Sequence, residues 1–184
     1  TEGALGTHAL KMKESAADTA IVSATMTHSA LILKEMATVD YRPKVLATFT
    51  LGDPVMYSVA GADVWEGTYV ALPGNSGVPG SEPAADKAVE ILKKYDPKLE
   101  GKEYLALFGA ASMMHLVQGL KNAGRNLTTE SMIKGMEMIK DWKPEGIGAP
   151  VTYNPDRHHG NNASRMGQAR DGKHVPLEPF TIYK

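Results

Sequence analysis

The sequence Ala17-Asp-Thr-Ala-Ile-Val-Ser-Ala-Thr-Met-Thr-His-Ser-Ala-Leu-Ile-Leu-Lys-Glu-Met36 carries the clearest structural signal in this chain. Its residues 19–23 are mostly β-branched or small and apolar, which is typical of a strand buried on both faces of a parallel sheet. From Thr27 onward the apolar side chains recur at helical spacing, which predicts a helix. The strand and the helix are joined by Ser23–Thr27, a turn that is rich in hydroxyl groups.

This hydroxyl-rich turn is the first candidate for a binding site. In open α/β sheets, ligands bind beyond the carboxyl ends of the strands, where helix N-termini offer free backbone N–H groups. A purely structural interpretation is also open, in which Thr27 caps the helix and Ser23 is a buried hydroxyl bonded to its neighbours.

Two further strands are predicted downstream of this helix. Residues 44–48 follow a break in the helical periodicity, and residues 65–72 form the third apolar run. Between them, Asp53 is the expected N-cap of a short helix, with Pro54 at its first position. The order βαβαβ predicts an α/β fold with a parallel sheet and right-handed crossovers.

The rest of the chain is predicted to be helical and then β. The segment 73–81 is rich in glycine and proline, which indicates a surface loop or a crossing between lobes. Three amphipathic helices follow, the second of which stops at Gly124 while the third is capped by Thr128. The dipeptide Asp171-Gly172 predicts a tight hairpin turn in the β tail. The apolar stripe of the second helix consists of Met113, Leu116, Val117 and Leu120.

The amino-acid composition of the chain argues against several classes of function. The 184 residues include 20 basic and 21 acidic side chains, so no broad field favours nucleic acid or an anionic membrane. No apolar run approaches the roughly 20 residues that span a bilayer. The chain has no cysteine, which excludes disulfides and cysteine-ligated zinc. It starts at Thr1 without a signal peptide, as expected of a mature exported protein or of a fragment.

Neither a metal site nor an enzyme is predicted. His158 and His159 lie beside Asp156 and Asn161, but adjacent histidines in such a turn rarely bind one ion together. The chain lacks a nucleophile elbow, a phosphate-binding loop, a dinucleotide fingerprint and a zinc-protease motif. We therefore expect no cofactor, and an α/β enzyme that depends on His158 or Asp53 is the minor alternative.

Five further segments carry a family resemblance. Residues 62–70 look like a strand that enters a hinge, 88–95 like a helix that ends in Lys-Tyr, and 104–124 like a long helix that ends in Ala-Gly. Residues 152–156 together with 171–177 look like closing strands. In this order the chain resembles the carboxyl-terminal part of the type I periplasmic binding proteins, in the branch that serves importers of branched-chain amino acids and related solutes.

The resemblance implies two α/β lobes that are joined by three crossings and close on a ligand. Residues 1–72 and 164–184 would form the second lobe, and 73–163 the remaining part of the first lobe with the hinge crossings. The implied function is the solute-binding component of an ABC importer, which is periplasmic or extracellular and delivers a small amino acid or organic carboxylate to a membrane permease. A ligand-sensing domain of a receptor or regulator is the alternative, since it uses the same architecture.

The same resemblance implies a set of ligand-binding residues in the second lobe. Ser23, Thr25, Met26 and Thr27 align with the ligand turn of the family, where hydroxyl and N–H groups hold a carboxylate. Thr50 stands where amino-acid-binding members have an acidic residue for the ligand's ammonium group. Because threonine is neutral, an aromatic or aliphatic carboxylate is the expected alternative to an α-amino acid.

From the first lobe, Tyr104 and Phe108 are implied as an aromatic wall of the cleft, with ordinary core packing as the alternative. The amino-terminal half of the family's fold has no counterpart in the sequence. Its absence would leave apolar helix stripes uncovered, which is costly in water. We therefore expect either a fragment or a second chain that covers these stripes.

Overall fold

The computed structural model describes residues 5–75, 80, 82–99 and 101–183. The chain divides into two compact units. Unit 1 comprises Thr1–Leu72 and Met166–Glu178, and unit 2 comprises Pro73–Arg165 and Pro179–Lys184. The chain therefore passes from one unit to the other three times.

Unit 1 is built on a sheet with strand order β1-β2-β3-β4-β5. The pairs β1–β2 and β2–β3 are parallel, and β4–β5 is an antiparallel hairpin. This arrangement confirms the predicted parallel-sheet α/β lobe. The elements are α1 (Gly6–Glu14), β1 (Thr19–Val22), α2 (Met26–Thr38), β2 (Lys44–Ala47), α3 (Met56–Ala60), α4 (Ala62–Trp65), β3 (Tyr69–Leu72), β4 (Ala163–Arg170) and β5 (Lys173–Pro176), with a 3-10 turn at Phe49–Leu51. The first three residues of β4 belong to unit 2.

The prediction that residues 65–72 form one strand is wrong at its amino end. Trp65 ends the single helical turn of α4, and its N–H donates to the carbonyl of Gly61 at 2.9 Å. Gly61 and Gly67 both have positive φ angles, 98° and 81°, which favour glycine and bracket the turn. The fully buried Trp65 side chain therefore packs from a helix into the core of unit 1.

The prediction that Asp53 caps the next helix is also wrong. The N-cap of α3 is Val55, which makes no side-chain cap bond. Asp53 instead lies two residues earlier, where its buried carboxylate accepts a hydrogen bond from Val55 N at 2.9 Å. The proline at position 54 is thus part of a turn before the helix.

Unit 2 contains α5 (Pro83–Tyr95), α6 (Glu103–Ala123), α7 (Thr129–Glu137) and β6 (Thr181–Ile182). The predicted cap is confirmed, because Thr128 Oγ1 accepts a hydrogen bond from Ser131 N at 3.1 Å. The predicted stop is confirmed as well, since Gly124 is the C-cap of α6 with φ 78°. At the tail, β6 pairs with Ala163 and Ser164 of β4, and this pairing groups Pro179–Lys184 with unit 2 rather than with the lobe predicted for residues 164–184.

The apolar stripe predicted for α6 is largely exposed. The core of unit 2 includes Ala85, Leu107 and Ile147. Of these, Leu107 belongs to α6, and it lies on a different face of the helix from the predicted stripe. The exposed fractions are 57% for Met113, 41% for Leu116, 42% for Val117 and 39% for Leu120.

Candidate functional site

The first predicted turn joins β1 to α2 at the carboxyl edge of the parallel strands. Thr25 is the N-cap of α2, in extended conformation with φ −66° and ψ 157°. Ser23, Thr25 and Thr27 are exposed, while Met26 is half-buried. The backbone N–H groups of Met26 and Thr27 belong to the first turn of the helix, which offers them no intrahelical acceptor. The alternative that Thr27 is the cap is therefore wrong by two residues.

His28 joins this turn, a residue that the sequence did not single out. The Thr25 hydroxyl lies 2.7 Å from His28 Nδ1 and also accepts a longer bond, 3.5 Å, from His28 N. The spacing Thr25-x-x-His28 in a first helical turn is a signal that sequence inspection can use, because capping side chains reach the third residue after them. The turn thus presents a hydroxyl and an imidazole side by side.

The second predicted position, Thr50, lies in the turn that follows β2. Its hydroxyl is 3.1 Å from the hydroxyl of Thr48, a partner that the sequence did not predict. The parallel register pairs Val22 with Ala47, the last residues of β1 and β2, and Thr48 N donates to Val22 O at 3.2 Å. The two hydroxyl-bearing turns therefore lie at the same edge of the sheet.

Among the described residues of this turn, no carboxylate takes the place of the acidic residue that amino-acid-binding members have at the position of Thr50. Asp53 is the nearest acidic residue in sequence, but its side chain is buried and bonded to Val55 N. Phe49 is more than half exposed beside Thr50. The turn after β2 thus combines neutral hydroxyl groups with an exposed aromatic ring.

The predicted aromatic pair lies in unit 2, on the first turns of α6. Tyr104 is 4% exposed, and its ring packs edge-to-face against Phe108 with centroids 5.0 Å apart. A Cβ placed on Gly74 would lie 3.2 Å from the Phe108 ring, so this ring also covers the backbone after β3. The burial of Tyr104 corresponds to the core-packing alternative, whereas Phe108 is only partly buried.

The histidine pair near residue 158 makes a surface contact. His158 Nε2 lies 3.3 Å from Glu137 Oε1, and its side chain is 66% exposed. Among the residues described here, no group of three histidine or acidic side chains is arranged to hold a metal ion. A cavity of about 270 Å³ in unit 1 has Arg42, Lys44 and Asp63 in its lining and contains none of the predicted site residues.

Comparison with known protein families shows which family the chain belongs to. The family described as periplasmic binding protein matches residues 2–173, and the chain belongs to this family. A search of curated proteins returned no significant match. Within the described part of the chain, no helix is both long and apolar enough to cross a membrane.

Solved structures share the fold at low sequence identity. A leucine-binding protein from Thermotoga maritima is 15% identical with a TM-score of 0.77, and the alignment covers 98% of this chain and 49% of that one. A branched-chain amino acid ABC transporter protein from Thermus thermophilus with bound valine is 20% identical with a TM-score of 0.76, covering 97% and 50%. A fatty acid ABC transporter substrate-binding protein from Thermomonospora curvata is 19% identical with a TM-score of 0.80, covering 100% and 48%. The chain therefore spans about half the length of these structures.

Proposed function

We propose that this chain is part of the solute-binding component of an ABC importer, which works in the periplasm or outside the cell. It captures a small organic carboxylate and delivers it to a membrane permease. Family membership supports this role, and the structural neighbours include substrate-binding proteins for amino acids and for fatty acids. The observation that carries the proposal is the pair of hydroxyl-bearing turns at one edge of the sheet.

The carboxylate binds at the amino end of α2. There the N–H groups of Met26 and Thr27 have no acceptor within the helix, and the helix dipole favours a negative charge. Ser23 and Thr25 add hydroxyl groups within the same turn. Charge-assisted hydrogen bonds of this kind are stronger than bonds between neutral groups.

The solute lacks an α-ammonium group. An amino acid bound at this edge needs an anionic partner for its ammonium, since a buried charge is costly unless it is paired. Thr48 and Thr50 offer only neutral hydroxyl groups, and Asp53 is bonded within its own turn. The exposed ring of Phe49 adds apolar surface, which suits the hydrocarbon part of an organic acid.

Calorimetric titration with two matched probes tests this proposal. The probes are 4-methylpentanoate and L-leucine, which share a carbon skeleton and differ in the α-ammonium group. We expect the acid to bind at least tenfold more tightly than leucine, and Thr50→Glu to reverse that preference. Thr38→Glu is the matched control, because Thr38 is an exposed threonine at the opposite end of α2. Tighter binding of leucine by the unaltered protein would overturn the assignment.

Delivery to a permease is tested separately in cells. Uptake of radiolabelled 4-methylpentanoate should be lost when the gene is deleted and return when it is restored. Unchanged uptake combined with a lost transcriptional response would point instead to a sensing domain.

A further inference from the structure

His174 connects two segments of unit 1 that are far apart in the sequence. It lies in β5 opposite Ala169 of β4, and its side chain is fully buried. Its Nδ1 is 2.8 Å from the carbonyl oxygen of Gly52, and its Nε2 is 2.8 Å from Trp65 Nε1. A carbonyl can only accept and an indole N–H can only donate. The two contacts together therefore require a neutral ring with its proton on Nδ1.

The carbonyl that His174 holds belongs to the turn that carries Thr50. Gly52 is the residue at which the 3-10 turn Phe49–Leu51 ends. On the inner side of this turn, Leu51 and Asp53 are buried, whereas Phe49 and Thr50 are exposed on the outer side. The bond from His174 thus fixes the inner side of the segment whose outer side bears the site.

We propose that His174 is a positioning residue for the segment 48–53, which keeps the Thr50 hydroxyl beside that of Thr48. Among the described residues, His174 is the donor that the buried Gly52 carbonyl has, and an unsatisfied buried acceptor is unfavourable enough to drive local rearrangement. That this positioning matters for solute binding rests on the proposed function. The conformational role itself is a property of unit 1.

Protonation of His174 would break the arrangement. The added proton would sit on Nε2 and face the N–H of Trp65, so that two donors would meet in a buried place. Burial lowers the pKa of His174, while the Gly52 carbonyl and the charge of Asp53 oppose this shift. The centroid of the Tyr57 ring, on α3, lies 6.2 Å from that of the His174 ring. The Tyr57 hydroxyl donates a hydrogen bond to Glu66 Oε2 at 2.8 Å. The Nδ1 proton that faces Gly52 is kept, so acidic pH is expected to release the segment only where the repulsion at Trp65 displaces the whole ring.

Amide hydrogen exchange measured by NMR tests the role without any ligand. The reporters are the N–H groups of Leu51 and Gly52, each of which donates to a carbonyl of the same turn at 3.0 Å. His174→Phe keeps a ring but removes both bonds, and we expect it to lower protection of the two reporters at least tenfold. Amides of β1 and β2 should change less than twofold. His174→Gln retains a donor and an acceptor and should restore most of the protection, while His159→Phe, at an exposed position, is the matched control.

Two results would overturn the proposal. One is unchanged protection of both reporters in His174→Phe, and the other is an equal loss across all of unit 1, which would indicate general destabilisation. If His174→Phe does not fold, the positioning role is tested in the unaltered protein, which is acidified from about pH 7 to about pH 4. The Trp65 indole N–H resonance and the protection of both reporters should then change together, and independent behaviour would contradict the role. Failure to bind 4-methylpentanoate would overturn the proposed function but not this result.

Discussion

The hydroxyl oxygens of Thr48 and Thr50 lie 3.1 Å apart, immediately beyond the carboxyl end of β2. A backbone bond from Thr48 N to Val22 O ties this pair to the end of β1, where the turn that caps α2 begins. Two neutral hydroxyl groups and a helix N-terminus therefore share one edge of the sheet. Their separate contributions can be tested one residue at a time.

Replacing Thr25 with valine should destabilise unit 1 by about 1 kcal/mol, because the N-cap of α2 loses its side-chain acceptor. Thr25→Ser keeps the acceptor and should stay within a few tenths of a kcal/mol of the unaltered protein. Urea unfolding measures both changes. Thr38→Val, at the other end of the same helix, is the control. Equal stability of Thr25→Val and Thr25→Ser would show that the cap bond contributes nothing.

Stability should fall as the pH drops below about 6.5, the ordinary pKa of histidine. Burial lowers the pKa of His174 and also that of His115 in the folded protein. The unfolded chain therefore takes up protons at a higher pH than the folded chain, which favours unfolding in acid. Above about pH 6.5 both states are neutral at these rings, and this contribution is constant. Unfolding free energies measured across this range should show a shallower slope in His174→Gln, and an identical slope would contradict the assignment.

Gly135→Ala should destabilise unit 2 by about 2 kcal/mol, because a methyl group there overpacks the contact between α7 and α6. The added Cβ would lie 2.8 Å from Ala123 N and closer still to the carbonyl oxygen of Gly119. Gly109→Ala is the matched control, since a Cβ on this α6 glycine meets, apart from its own helix backbone, none of the described residues within 4 Å. That control should be neutral or more stable by up to about 1 kcal/mol, because alanine favours a helix. Thermal unfolding of the two variants separates them, and a harmless Gly135→Ala would refute the close approach.

The exposed stripe of α6 should make this 184-residue chain self-associate, because contiguous apolar surface drives association in water. Replacing Leu116 and Leu120 together with lysine should lower the apparent mass in light scattering at a given concentration. Leu105→Lys is exposed on the same helix but lies about three turns earlier, and should have a smaller effect. A strictly monomeric chain whose apparent mass does not respond to these changes would argue against association through the exposed stripe of α6.

Much of unit 1 could be predicted from the sequence, and the reasons are local. The strand at residues 19–22 and the helix after Thr25 show the two hydrophobic periods clearly. Trp65 was misplaced because a single helical turn is too short to show a period of its own. Asp53 followed by Pro54 carries the pattern of a cap, yet the two residues form a turn that leads into the helix, which begins at Met56.

The site was harder to predict because its contacts cross between elements. Thr48 joins the edge only through the register of β1 and β2, which no local pattern specifies. His174 reaches Gly52 across 122 positions of the sequence. Residue type therefore singled out the turn Ser23–Thr27 and the family resemblance pointed to Thr50, but neither predicted the groups that hold these turns.

Carboxylate binding at the amino end of α2 is tested most directly by an NMR titration that follows the backbone amides of Met26 and Thr27. The probes are 4-methylpentanoate and 4-methylpentan-1-ol, which differ in the carboxylate that is expected to sit at the amino end of α2. We expect large, saturable shifts of these two amides with the acid and none with the alcohol. Equal shifts with both probes, or shifts with the acid that leave Met26 and Thr27 unmoved, would contradict this expectation.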